Sequence, residues 1–289
     1  MPHVRKLRPT VTLAWSATLI LGFWVMLGPS SAFPKAAESR ILMTATQKKT
    51  NQRVQLNPGA LSARTNRGAT AAISKVETAT NTPIHFLLLV EASDFTRKST
   101  KLKRALQESK LVLQDALKIY GGDITIYAFN KAPLMLVEQT KDFALLDQKL
   151  ASLPWGKKTA LLDALSIAVE SMPDDQFRRI AIIFSDGEDD SSHISQKSAI
   201  KAARQKAVTV YALDTFLGFR RHNGSRLMEN LADATGGRLL WPEDANHIAL
   251  ELEKLQNDLS AQYWITVAAS GQQWKFKYNE PGVELLYPH

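Results

Sequence analysis

Cysteine is absent from the 289 residues, so neither a disulfide nor a thiolate-bound metal holds this chain together. A phosphate-cradling loop is also missing. The turn after the first long apolar run reads "EASDF" (91–95) and contains no glycine, which excludes the glycine-rich loops of dinucleotide and NTP sites. Neither a GxSxG elbow nor an HExxH helix occurs, and enzyme function has no positive signal. No Lys/Arg-dense block is interleaved with aromatics, so nucleic-acid binding has no footprint.

Acidic residues are scarce at the N-terminal end. Residues 1–82 hold 11 of the 36 basic side chains but only 2 of the 28 acidic ones. The basic character therefore belongs to the leader and the stretch after it. Arg5, Lys6 and Arg8 precede the uncharged run 11–28, and "PSSAF" follows, with Ser30 and Ala32 at the positions a signal peptidase reads. Residues 1–32 are expected to be either a cleaved signal peptide or a retained N-terminal membrane anchor through 11–28, which is near the length that spans hydrocarbon. Either way the remainder is exported: periplasmic, membrane-anchored or secreted. Residues 33–82 are rich in Ala, Thr, Ser, Asn, Gln and Lys without a sustained period, and read as a weakly ordered basic linker.

From residue 83 the pattern changes. "IHFLLLV" (84–90), "RRIAIIFS" (178–185) and "VTVYALDT" (208–215) are continuous apolar runs, as strands buried on both faces should be. "DITIYAF" (123–129) and "PLMLVEQ" (133–139) read as two further strands, and "RLLWP" (238–242) as a short one. Helical spacing covers 102–120, 142–153, 159–172, 194–207, 226–237 and 245–262. The alternation predicts an α/β fold over 83–262: a doubly wound, mostly parallel six-stranded sheet with helices on both faces. "YWITVAAS", "WKFKYN" and "VELLYPH" predict an antiparallel β extension over 263–289.

In such a sheet, ligands bind beyond the carboxyl ends of the strands, where strand order reverses. Three loops fall there: "EASDF", "WGKKTALLDAL" (155–165) and "SDGEDDSS" (185–192). The stretch 184–193 packs four carboxylates, one Gly and three Ser into ten positions. Carboxylate, Ser and Thr oxygens from three such loops suit a hard cation such as Mg²⁺, leaving a coordination position for a partner's carboxylate. Plainer roles compete with this one. Asp186 suits a tight Asp-Gly turn, Thr159 an N-cap, and Ser93 a bond to loop backbone. Glu188, Asp189 and Asp190 suit a solvated rim near a helix start. Asp163 should support the loop from the first turn of its helix. Phe95, Trp155 and Phe216 are read either as an apolar rim or as ordinary packing residues.

"FLLLVEAS", "TALLDAL", "IIFSDGEDDSS" and "LADATGGRLL", in that order, resemble a von Willebrand factor A domain, most closely the exported bacterial branch called VWFA-related, described from acidobacterial proteins. The resemblance covers roughly residues 83–289. It implies a metal-ion-dependent adhesion site built from DxSxS after the first strand, a Thr before a helix and an Asp after the fourth strand. On that pattern Glu91, Ser93, Thr159 and Asp186 take the ligand positions for Mg²⁺, or alternatively Mn²⁺ or Ca²⁺. Asp94, Phe95, Lys157, Lys158, Glu188 and Asp189 take the partner-binding rim. The motif is altered: Glu91 stands for Asp and Phe95 for the second Ser, while Lys157 and Lys158 stand where the family has Gly. These departures imply a degenerate site in which Lys157 or Lys158 pairs with Asp186 or Glu91. The function implied is a non-enzymatic protein–protein interaction module for a partner in the envelope or outside the cell. The alternative is a structural subunit of an envelope assembly with the site idle.

Overall fold

Four strands precede the first long apolar run. The computed structural model describes residues 38–218, 220–269 and 273–289. It begins with β1 (Ser39–Gln47), β2 (Leu61–Thr65), β3 (Thr70–Ala71) and β4 (Ile73–Thr78). From residue 38 onward this corrects the expectation of a weakly ordered linker over 33–82. The reason lies at the other end of the chain, where these strands find their partners. The leader 1–32, with its run 11–28, lies outside the described residues. Among the described residues no helix is long and apolar enough to cross a membrane.

The chain continues through β5 (Ile84–Glu91), α1 (Thr100–Tyr120), β6 (Gly122–Phe129), β7 (Pro133–Thr140), α2 (Phe143–Ala151), α3 (Leu161–Glu170) and β8 (Arg178–Ser185). It then forms α4 (Gln196–Gln205), β9 (Val208–Asp214), α5 (Asn223–Thr235), β10 (Leu239–Leu240) and α6 (Ile248–Ser260), and ends with β11 (Gln262–Val267), β12 (Trp274–Tyr278) and β13 (Val283–Leu286).

The central sheet runs β10-β9-β8-β5-β6-β7. All its pairings are parallel except that of β6 with the antiparallel edge strand β7. Every residue of β5, β8 and β9 is buried, because alternate side chains enter two different cores. Phe86, Leu88, Ile180, Ile182 and Phe184 pack with Leu102, Leu113, Leu252 and Leu255 of α1 and α6. Leu87, Leu89, Ala181, Ile183 and Val210 pack with residues of α3, α4 and α5 on the opposite face. Each fully buried Leu or Ile contributes about 1.5–3 kcal/mol. Helix α1 begins at Ser99, whose hydroxyl accepts the Leu102 N–H at 3.1 Å, and stops at Gly121 with φ 74°.

Two antiparallel sheets flank this core, in the orders β13-β1-β11-β4 and β12-β2-β3. Strand β1 lies between β11 and β13, with Ser39 opposite Val267 and Thr44 opposite Leu286. Met43, Ala45, Leu61, Tyr263, Ile265 and Trp274 form their shared core, while Leu42 and Trp264 reach the core beneath α1 and α6. The C-terminal strands therefore share their sheets with the N-terminal ones instead of standing alone.

Strand order reverses between β5 and β8: from β5 the chain moves to β6 on one side and returns as β8 on the other. In sheets of this kind ligands bind beside such a reversal, at the loops after these two strands.

Candidate functional site

Hydrogen bonds join the three strand-end loops into a closed ring. Ala92 accepts the Gly156 N–H at 2.8 Å, and the Asp94 N–H donates to the Gly156 carbonyl at 2.6 Å. The Thr159 carbonyl accepts the N–H groups of Asp190 and Ser191 at 3.1 and 3.0 Å. The Thr159 N–H donates to Asp190 Oδ1 at 3.0 Å. The ring closes where the Asp186 N–H donates to Glu91 Oε2 at 3.1 Å.

Glu91 is its centre and is 1% exposed. Its Oε1 accepts the Ser93 hydroxyl at 2.5 Å, and its Oε2 accepts the Ser185 hydroxyl at 2.6 Å. Ser93 Oγ in turn accepts the Thr96 N–H at 3.1 Å. Burial and then the Asp186 charge push the Glu91 carboxyl up to about 7, against the opposing hydroxyl and N–H donors. Burial also raises the Asp186 carboxyl, and its Oδ1 accepts the Glu188 N–H at 2.9 Å.

The backbone is fitted to this packing. Gly187 has φ +77°, and a Cβ there would sit 2.3 Å from the Gly224 carbonyl oxygen. A Cβ on Gly224 would meet the Asp186 carbonyl oxygen at 2.2 Å. Two glycines thus let the start of α5 press against the acidic loop.

Of the four ligand positions, Glu91, Ser93 and Asp186 are linked directly. Thr159 joins through its backbone, and its hydroxyl makes no hydrogen bond to the other three. Asp94 is exposed, and Phe95 is 60% exposed. Lys157, Lys158 and Glu188 are exposed and Asp189 is half-buried. The proposed lysine pairing is corrected: neither Lys157 nor Lys158 forms an ion pair with Glu91 or Asp186 among the described residues. Hydroxyls and N–H groups already occupy Glu91, and both lysines are exposed. Asp190 is also more than rim, since it accepts the Thr159 N–H and the Ser191 hydroxyl. Asp163 accepts the N–H groups of His193 and Ile194, at 3.0 and 3.1 Å, and so ties α3 to the acidic loop.

One group escaped the sequence reading. Asp214 ends β9, fully buried. It accepts the Ser225 hydroxyl at 2.5 Å and the Phe216 N–H at 2.8 Å, and His222 Nε2 lies 3.7 Å away. Burial raises its carboxyl, and it raises that of Asp186 in turn. The signal was present: like "FLLLVE" and "IIFSD", the run "VYALD" ends on a carboxylate.

The donor set does not fit an adhesion-site cation. Mg²⁺ needs about six oxygens in octahedral array. Here both Glu91 oxygens and the Ser93 hydroxyl are committed to one another and to protein donors. Phe95 carries no oxygen where the second Ser would stand. Among the described residues no group of three or more His, Asp or Glu side chains is arranged to hold a metal.

No described protein family and no curated protein matches this sequence. Solved structures do. Proximal thread matrix protein 1 of the mussel byssus, in a form with zinc in its MIDAS motif, aligns with TM-score 0.51 at 14% identity, over 70% of this chain and 50% of its own. A von Willebrand factor type A protein from Catenulispora acidiphila aligns with TM-score 0.51 at 13% identity, over 89% of this chain and 75% of its own. BatB from Bacteroides thetaiotaomicron aligns at 17% identity over 60% of this chain and 98% of its own, with TM-score 0.47. The chain has the von Willebrand factor A fold, and spans about half the length of the mussel protein.

Proposed function

We propose that this chain is an exported, non-enzymatic protein–protein interaction module that docks a partner on the loops 91–97, 155–159 and 186–193. The observation that carries this reading is the ring of hydrogen bonds joining those loops around Glu91. A ring of this kind fixes a platform before any partner arrives, which cuts the ordering cost of association. Its rim offers a bare aromatic in Phe95 and two solvated ammonium groups in Lys157 and Lys158. These suit a partner with an apolar anchor beside carboxylates. Catalysis at Ser93 is disfavoured by access, since Ser93 and Glu91 are 3% and 1% exposed.

Docking on this reading is independent of Mg²⁺, Mn²⁺ or Ca²⁺, because hydrogen bonds occupy both Glu91 oxygens and the Ser93 hydroxyl. Capture of a binding protein from envelope extracts on immobilised full chain tests it. The retained partner should survive EDTA and be lost with Phe95→Ala combined with Lys157→Glu and Lys158→Glu. A partner indifferent to those three substitutions would overturn the assignment of the face. It would favour the structural-subunit reading, in which the flanking sheets make the contacts.

A further inference from the structure

Helix α4 and the strands β1 and β12 enclose a groove of about 1120 Å³. Its apolar wall is Ile41, Ile200 and Trp274, and Lys197, Lys201 and Arg204 line it beside them. A smaller cavity of about 210 Å³ continues it past Arg40 and Leu42, sharing Ile41, Arg204 and Trp274 and bounded by Pro288 and His289 of the chain's own tail. Neither lining includes an Asp or Glu, and α4 itself, QKSAIKAARQ, contains none. The strand at this end is also incompletely paired. β13 pairs with β1 only from Thr44 to Gln47; among the described residues no strand pairs with 39–43 on that side, where Pro288 and His289 border the smaller cavity without a ladder to β1. Five such residues offer roughly 17 Å of strand edge.

From this geometry we infer a second docking site, for an extended acidic segment of a protein partner. Main-chain groups of the segment pair with the open half of β1, its apolar side chains face Ile41, Ile200 and Trp274, and its carboxylates meet Lys197, Lys201 and Arg204. Strand addition of this kind draws affinity from backbone hydrogen bonds and selectivity from alternate side chains. The concave form and the strand edge favour a chain segment over a flat bilayer surface.

Fluorescence anisotropy on the full chain tests the inference, with labelled peptides of about ten residues alternating Glu–Val, Glu–Gly or Lys–Val. The Glu–Val peptide should bind saturably and the other two should not. Lys197→Glu with Lys201→Glu, both on exposed positions, should weaken it roughly tenfold or more. Lys157→Glu with Lys158→Glu should leave it unchanged, which separates this site from the strand-end platform. Absence of saturable Glu–Val binding, equal binding of Lys–Val, or indifference to the α4 substitutions would overturn it. So would phosphatidylglycerol vesicles that bind with the same α4 dependence while the peptide does not, since the groove would then serve a lipid surface.

Discussion

The two ends of the central sheet bury ionisable groups of opposite type and handle them differently. At the amino ends of the strands sit His85, Arg178 and Arg179; at the carboxyl ends sit Glu91, Asp186 and Asp214. The basic end finds most of its acceptors on the backbone. Arg178 is fully buried and donates to the carbonyls of Thr82 and Leu259 at 3.0 and 2.9 Å and to Gln262 Oε1 at 3.0 Å. Its Nη2 has no partner among the described residues, and burial lowers the guanidinium to about 10. Arg179 donates to the carbonyls of Pro173, Lys206 and Asp175. The His85 ring stands between Asp123 and Asp175, at 2.8 and 2.6 Å. At the acidic end the carboxyls meet hydroxyls, N–H groups and one another, and burial raises all three. The basic groups are held mainly by backbone carbonyls from several elements. The acidic groups are held by hydroxyls and N–H groups of the strand-end loops and the start of α5, and burial opposes their charge as it opposes that of Arg178.

The largest expected effect breaks the basic end. Arg178→Ala leaves buried carbonyls without donors and should cost about 3–5 kcal/mol in urea unfolding. Next comes the acidic end. Because Glu91 titrates near 7 in the folded state and near 4.5 otherwise, the folded chain holds the extra proton between those values. That stabilisation is complete below about pH 4.5 and is lost as pH rises to about 7, a change of about 3 kcal/mol. Denaturation of Glu91→Gln beside the parent should show that slope removed. An unchanged slope would mean that burial of Glu91 is relieved in solution.

A smaller effect is expected at the amino end. His85→Ala, which strands two carboxylates partly covered by the fold, should cost about 1–3 kcal/mol. The smallest is Phe95→Ala, within about 0.5 kcal/mol by thermal melting, since the ring is 60% exposed. A large loss there would make Phe95 a packing residue and remove it from the docking rim.

The contrast also explains what was legible beforehand. β5, β8 and β9 show in the sequence because both faces are buried, so nothing polar interrupts "FLLLV", "IAIIF" or "VYAL". Strands β1 to β4 do not, because only part of each is buried and their Thr, Ser and Ala content matches that of a linker. Within the site, Ser93, Thr159 and Asp186 stood out by order along the chain. Asp214 did not, because its partners Ser225 and His222 come from the start of α5, where no local pattern announces a contact with β9. The lysines misled because their place at the usual Gly positions, with Phe95 for the second Ser, suggested a partner for Asp186 or Glu91, while hydroxyls and N–H groups already occupied Glu91.

Strand β1 has a consequence in time as well as in space. The Ser39 hydroxyl donates to the Ala269 carbonyl across 230 residues of sequence, and β1 is hemmed by two strands from the last part of the chain. β2 and β3 can pair with each other early, but β1 and β4 find their strand partners only in β11 and β13. Loop closure over such a span makes their pairing a late and slow event.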